Sequence, residues 1–164
     1  MNNLANYRRD IVDTIVPYAK KDTRIVLLVC DMGFGVTAGF AEAFPDRIFN
    51  MGIMEQGTVG IAAGMAMTGL IPVVYSIVNF IAYRALEQVR NDVVLQNLNV
   101  KFIATGVNNY FNFLGDSHCC GTDDIKLMHL IGLNVFDPYE RQDTDFKAIV
   151  NAWITDNRAG YMRV

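Results

Sequence analysis

Apolar residues in this chain alternate between short continuous runs and longer segments with helical spacing. Residues 25–30 form an uninterrupted run, Ile-Val-Leu-Leu-Val-Cys, that stops at Asp31-Met32-Gly33. Such a run is typical of a strand that is buried on both faces, as in a parallel sheet. Residues 4–20 carry their apolar side chains at roughly helical spacing and end before the polar segment 20–23, which predicts a helix.

The same alternation continues along the chain and predicts the fold class. In chain order it gives helix 40–44, helix 55–68, strand 72–75, helix 81–95, strand 101–105, helix 124–131, strand 134–136, helix 143–156 and strand 160–164. Repeated strand–helix units predict an α/β protein, a three-layer α/β/α sandwich with a mostly parallel sheet. Because no linker, repeat or low-complexity tract interrupts the pattern, we expect one domain over residues 1–164.

Composition adds a surplus of apolar surface to this picture. The 164 residues are 52% hydrophobic and 19% charged, with a mean hydropathy of +0.21. A subunit interface or a membrane contact would use such a surplus. The apolar region 61–81 is broken by glycine, proline and polar residues before it reaches the roughly 18 residues of a membrane span, so we expect an interface. The start of the chain is not a signal peptide, and we expect a cytoplasmic location.

Charge and cysteine content exclude two further classes of site. The formal net charge is −3 and the basic residues are scattered singly, so we expect no nucleic-acid binding. The three cysteines, Cys30, Cys119 and Cys120, form no CxxC pair, which suits a reducing compartment. We expect no metal site in this chain by itself.

Glu55 is the outstanding candidate for chemistry, because it lies alone in the apolar, glycine-rich run 49–66. A buried carboxylate needs a cation, a donor or a ligand as its partner. The alternative is an ordinary acidic residue in the first turn of a helix, where the backbone dipole favours negative charge. Ligands of open parallel sheets bind beyond the carboxyl ends of the strands, which selects the loops 31–35, 76–80 and 106–122.

The run 49–66, together with the aromatic segment 75–83, resembles the pyrimidine-binding domain of transketolase-like thiamine diphosphate enzymes. The resemblance covers roughly residues 10–140 and implies the thiamine diphosphate-binding fold of the pyrimidine type. It also implies a catalytic role for Glu55, which in this family activates the cofactor by hydrogen bonding to a ring nitrogen of its aminopyrimidine.

The resemblance assigns three side chains to the aminopyrimidine ring. Phe80 and Tyr83 match the aromatic residues that enclose the ring, and Ile77 stands where the family commonly has another Phe. The contact of Ile77 with the cofactor would therefore be aliphatic. Without the resemblance, Phe80 and Tyr83 at spacing i, i+3 would be interpreted as a stripe of core residues.

Two loops carry weaker assignments. Segment 24–33 is similar to the strand of the family that ends in an Asp near the cofactor, which makes Asp31 a cofactor-binding candidate; the alternative is that Asp31 only caps the turn. His118 lies one residue from the position of the family's substrate-facing histidine, so it is a catalytic candidate or, alternatively, a polar surface residue. Cys119 and Cys120 are not expected to act as nucleophiles, because an unactivated thiol is a weak nucleophile at neutral pH.

One motif of the family is absent. Thiamine enzymes bind Mg²⁺ and the diphosphate through a Gly-Asp-Gly motif and a later Asn, and this sequence has no Gly-Asp-Gly. We also expect this chain to lack the carboxyl-terminal domain of ordinary transketolases. We therefore expect a split enzyme, in which a larger partner subunit holds most of the thiamine diphosphate and the Mg²⁺. A heterotetramer of two small and two larger chains is expected, with self-association of this chain through the same fold.

The expected function is that of the pyrimidine-domain subunit of a split transketolase, inactive alone, that transfers a two-carbon ketol unit between sugar phosphates. Two alternatives within the enzymes are a subunit of a two-chain 2-oxoacid decarboxylase and one of a 1-deoxyxylulose-5-phosphate-synthase-like enzyme. A third alternative is a non-catalytic regulatory subunit with the same fold, in which Glu55 would be dispensable.

Overall fold

A computed structural model of the protein describes residues 6–141 and 143–164. Within these residues six strands form one sheet, in the order β2-β1-β3-β4-β6-β5, and every neighbouring pair is parallel. The strands are β1 (Ile25–Val29), β2 (Ile48–Asn50), β3 (Ile71–Ile77), β4 (Lys101–Thr105), β5 (Asn134–Phe136) and β6 (Gly160–Arg163). The predicted parallel sheet is confirmed.

Helices cover both faces of the sheet, which confirms the three-layer sandwich. They are α1 (Tyr7–Lys21), α2 (Ala38–Ala43), α3 (Glu55–Met67), α4 (80–94), α5 (Asp123–Leu130) and α6 (Phe146–Thr155). The core on one face joins α1, α2 and α6 to the sheet, and the core on the other face joins α3, α4 and α5. Every residue of β1 is buried because neither face of this strand meets solvent.

The order in which the chain adds strands to the sheet reverses at the boundary between β1 and β3. From β1 the chain passes to β2 at one edge, and then crosses back to β3 on the other side of β1. Loops that diverge from such a boundary leave a crevice at the carboxyl ends of the strands. The segments that follow β1, β2 and β3 all start at this crevice, and α3 begins there with Glu55.

Helix α4 departs from α-helical geometry in a way that no sequence pattern indicated. Its first and last parts, Phe80–Arg84 and Val89–Val94, are π-helical, and the amide of Ala85 donates to the carbonyl of Phe80 over 3.1 Å. A helix over 81–95 is confirmed, but its turns are wider than those of an α-helix. Such turns are frequent at functional sites because they redirect side chains.

The remaining differences from the predicted elements are local. Strand β2 was not predicted, since it has three residues, lies at the sheet edge and is only partly covered. Strand β3 extends to residue 77 rather than 75. Helix α6 begins three residues later than predicted, where the side chain of Asp145 accepts a hydrogen bond from the amide of Ala148. Residues 4 and 5 of the predicted first helix lie outside the described residues.

A buried ionic cluster closes the sheet at the carboxyl end of β6. The guanidinium of Arg163, only 1% exposed, donates to Asp124 on α5 over 2.7 Å and to Asp137 after β5. It also donates to the carbonyl of Gly121, and Tyr161 donates to Asp124. These contacts attach the end of the long loop 106–122 to the sheet.

At the opposite end of the sheet, Lys101 is buried at the start of β4. Its ammonium group donates to the carbonyls of Asp156 and Arg158, at 2.7 and 2.6 Å, and so satisfies backbone groups after α6. Burial lowers the pKa of Lys101 to about 8. Among the helices of the described chain, not one combines the length and the apolar character that crossing a bilayer requires.

Replacement of Arg163 by Met should lower the free energy of unfolding by about 3–5 kcal/mol, because it leaves the charge of Asp124 buried without its cation. Urea denaturation followed by circular dichroism measures this. Arg158→Met is the matched control, since Arg158 is largely exposed and the loss of its pair with Asp156 should change little. Equal effects of the two substitutions would contradict the structural role of Arg163.

Candidate active site

The side chain of Glu55 is buried at the first turn of α3, with 1% of its surface exposed. The hydroxyl of Ser76 donates to Oε1 over 2.9 Å, and Nη1 of Arg84 donates to Oε2 over 2.6 Å. A buried carboxylate thus has a neutral donor on one oxygen and a cation on the other, as its desolvation requires. Ser76 lies at the end of β3, and Arg84 lies on the helix that follows it.

Asp31 lies at the rim of this crevice and supports the turn between β1 and α2. It adopts a positive φ of 49°, its amide donates to Oδ1 of Asn50, and its carboxylate accepts from Nδ2 of Asn50 over 3.0 Å. Oδ1 of Asn50 also accepts a hydrogen bond from the amide of Gly52. Asp31 therefore has the turn-forming role of the alternative interpretation, while its exposed carboxylate stays within the crevice.

Phe80 lies between the two catalytic candidates that the sequence suggested, Glu55 with its partner Arg84 on one side and His118 on the other. The guanidinium carbon of Arg84 lies 4.0 Å from the centre of the Phe80 ring, and the ring of His118 meets Phe80 edge-on at 5.2 Å. The hydroxyl of Ser117 lies 2.9 Å from Nδ1 of His118. Glu55, Arg84, Phe80 and His118 thus form a continuous row of contacts, which brings His118 to the side of the crevice.

Ile77 and Tyr83 take different positions. Ile77 ends β3 and packs in the core between the sheet and α3, α4 and α5. Tyr83 is 49% exposed, and partial burial followed by the charges of Asp123 and Cys120 raises its pKa. Its ionisable neighbours thus belong to α5 and the loop before it.

Asn79 fastens the long loop to the end of β3. Its Nδ2 donates to the carbonyl of Cys119 over 3.0 Å, while its buried Oδ1 has no hydrogen-bond partner among the described residues. An unpaired buried acceptor is costly and indicates a missing donor, such as a ligand or a water molecule. Sequence reasoning assigned no role to Ser76, Asn79 or Arg84. The spacing of four residues between Phe80 and Arg84 was the available signal for the last of these.

The cysteines lie around the crevice without forming a reactive pair. Burial raises the pKa of Cys30, the charge of Glu55 acts in the same direction, and Cys30 contacts the hydroxyl of Thr58. Burial also raises the pKa of Cys120 to about 12, with a further contribution from Asp124. Cys119 is only partly buried. That the thiols of Cys119 and Cys120 do not act as nucleophiles stays a prediction.

Residues 5–159 match the family model described as "Transketolase, pyrimidine binding domain". The chain belongs to the transketolase pyrimidine-binding domain family. A protein of Methanocaldococcus jannaschii, described as a putative transketolase C-terminal section, is 40% identical over 126 residues, which are 76% of this chain and 39% of that protein. A 1-deoxy-D-xylulose-5-phosphate synthase of Syntrophus aciditrophicus is 43% identical over 99 residues, 59% of this chain and 15% of the enzyme.

A solved structure with the same pyrimidine-binding fold is described as a split gene transketolase, an inactive β4 tetramer. It superposes with a TM-score of 0.81 and 34% identity, over 95% of this chain and 49% of that one. The chain therefore spans about half or less of the relatives that it matches. These relatives support a transketolase-like role, and family membership implies thiamine diphosphate as the cofactor.

The residues of the crevice fit the aminopyrimidine part of that cofactor. An aminopyrimidine offers N–H donors, ring nitrogens and a flat face, and the crevice offers the carboxylate of Glu55 and the ring of Phe80. The residues do not fit the diphosphate. Within the described residues no cluster of three His, Cys, Asp or Glu side chains could hold a metal ion, and the sequence has no Gly-Asp-Gly.

Native alkylation should distinguish the thiols. With iodoacetamide at pH 8, we expect Cys119 to be modified first, because burial and raised pKa values protect Cys30 and Cys120. Peptide mass mapping measures the order, and labelling in urea provides the control in which all three cysteines react. Preferential modification of Cys120 in the native protein would contradict the burial of this side chain.

Proposed function

We propose that this chain is the pyrimidine-binding subunit of a split transketolase-like enzyme, which transfers a two-carbon ketol unit between sugar phosphates. The observation that carries the proposal is the buried carboxylate of Glu55, which faces Arg84 and the ring of Phe80 at the carboxyl edge of the sheet. Its burial and its place at the first turn of α3 support a role for this carboxylate in binding the aminopyrimidine.

A larger partner subunit completes the enzyme in this proposal. It holds the diphosphate and Mg²⁺ through a Gly-Asp-Gly motif, which this chain lacks. Exposed apolar side chains surround the crevice and supply an interface: Phe34 after β1, Ile53 and Met54 after β2, and Phe113 and Leu114 after β4. A solved relative is described as an inactive β4 tetramer, which supports self-association of this chain as part of the proposal. The active form in this proposal is a cytoplasmic heterotetramer of this chain and the larger partner.

Thiamine diphosphate supplies the electron sink for breaking and forming carbon–carbon bonds next to a carbonyl. Within this chain, Glu55 would accept a hydrogen bond from the ring and share a proton with it. Ser76 fixes Oε1 and so holds the carboxyl group in place. Phe80 would stack on the ring, and Ile77 would support that side of the site from the core.

Substrate and outer cofactor contacts fall to the rim of the crevice. His118 is positioned by Phe80 and Ser117 to exchange protons with the substrate, and Asp31 contributes a carboxylate near the cofactor. Tyr83 is assigned to the outer wall of the ring pocket, where the partner subunit closes it. Its exposure of 49% leaves it available for such a contact.

The principal test replaces Glu55 by Gln in the complex with the larger chain. We expect assembly to persist and turnover to fall about a hundredfold or more, because the amide cannot share the proton at Oε2. Calorimetric titration with thiamine diphosphate and Mg²⁺ should show binding to the mixed wild-type chains and none to this chain alone. Glu87→Gln, at an exposed position on α4, is the matched control.

Full turnover of the Glu55→Gln complex would reject the catalytic assignment and favour a regulatory subunit. Tight binding of thiamine diphosphate to this chain alone would show instead that the diphosphate site is not split.

A second candidate function is a 1-deoxyxylulose-5-phosphate-synthase-like condensation, which the relative from Syntrophus aciditrophicus favours. Product analysis separates the two reactions. With a ketose phosphate as donor and an aldehyde as acceptor we expect ketol transfer. Carbon dioxide release from pyruvate in place of ketol transfer would support the condensation, or a 2-oxoacid decarboxylase if no sugar product forms.

A further inference from the structure

Arg84 occupies two parts of the proposed ring site at the same time. Its Nη1 donates to Oε2 of Glu55 over 2.6 Å, and its guanidinium carbon lies 4.0 Å from the centre of the Phe80 ring. These are the carboxylate and the aromatic face that the proposed function assigns to the aminopyrimidine. The second oxygen of Glu55 is already bonded to Ser76. Arg84 therefore occupies the oxygen and the aromatic face that the ring would use.

The guanidinium group has the same recognition chemistry as the aminopyrimidine. Both are planar, both carry an amino group next to a ring or chain nitrogen on the same carbon, and both present N–H donors at their edge. A guanidinium also stacks on aromatic faces, because its charge is attracted to the ring quadrupole. Arg84 thus satisfies Glu55 and Phe80 with the interactions that a bound aminopyrimidine would make.

We propose that Arg84 is an internal stand-in for the aminopyrimidine, which closes the site in the cofactor-free chain and is displaced when the cofactor ring binds. This inference rests on the proposed function. The stand-in keeps the buried charge of Glu55 paired before the ring arrives. Ring binding is then an exchange of one planar donor for another at Oε2.

The structure provides the means for this exchange. The side chain of Arg84 is 41% exposed, whereas that of Glu55 is 1% exposed and is anchored by Ser76. Arg84 ends the π-helical turn that Phe80 begins, so the two side chains lie on one side of α4. The arginine can leave towards solvent while the carboxylate and the aromatic ring stay in place.

Removal of the stand-in should strengthen ring binding. The apparent dissociation constant of a site that is mostly closed exceeds the intrinsic constant by the inverse of the open fraction. We expect Arg84→Ala to bind thiamine diphosphate about tenfold more tightly, measured by calorimetry on the complex with the larger chain and Mg²⁺. Arg90→Ala is the matched control, because Arg90 lies on the same helix, is exposed and donates a side-chain hydrogen bond to its neighbour Asn91.

An unchanged or weaker affinity of the Arg84→Ala complex would overturn the proposal, because Arg84 would then be absent from the ring site or would help to hold the bound ring. Arg84→Gln guards against loss of folding, since it keeps a hydrogen-bond donor for Glu55 without the planar cation. It should also bind more tightly than the wild type. Failure of the wild-type complex to bind thiamine diphosphate would reject the proposed function and this inference together.

A second readout needs neither the cofactor nor the partner. In the chain alone, nitrogen-15 NMR of the arginine side chains should show slow rotation of the Arg84 guanidinium, which Glu55→Gln accelerates and Glu87→Gln does not. Fast rotation in the wild-type chain would show that the site is open and would overturn the proposal, whatever the outcome for the proposed function.

Discussion

The buried carboxylate of Glu55 is the constraint on which the rest of the site depends. An ionised group that is removed from water without partners costs several kcal/mol, more than one ordinary hydrogen bond returns. The chain answers with two partners from one segment: the hydroxyl of Ser76 at the end of β3 and the guanidinium of Arg84 on the first turn of α4. The pairing of this single charge therefore depends on both the length of β3 and the geometry of α4.

The topology of the sheet explains why those partners are within reach. Because the chain crosses β1 between β2 and β3, α3 begins beside the carboxyl end of β3, and Glu55 points at the segment that follows it. A second ionic cluster, centred on Arg163, attaches the end of the loop 106–122 to the sheet. Asn79 fastens the same loop two residues earlier, through the carbonyl of Cys119. His118 directly precedes Cys119, so this attachment holds it against Phe80 although it belongs to a long loop.

The sequence was sufficient for five of the six strands that the structure describes and for the need of Glu55 for a partner, because both signals are local. A continuous apolar run such as 25–30 has few alternatives to a buried parallel strand, and a single carboxylate in an apolar run needs a partner wherever it lies. The identity of that partner was not local. It depended on a π-helical turn, which has no reliable sequence signature, and on the crossing of α3 over the sheet. Strand β2 was missed for a related reason: its three residues become a strand only by pairing with β1.

The two buried ion pairs of this fold show how one chemistry serves two purposes. Both join an arginine to a carboxylate with little or no exposure, and in both the arginine prevents an uncompensated buried charge. Arg163 is itself 1% exposed and has further partners on Asp137 and Gly121, so it cannot leave without disrupting the sheet end. Arg84 is 41% exposed and has Phe80 and Glu55 as its contacts, so it can be exchanged for another planar donor. The exposure of the cation, rather than the strength of the pair, separates a structural cluster from a site that can accept a ligand.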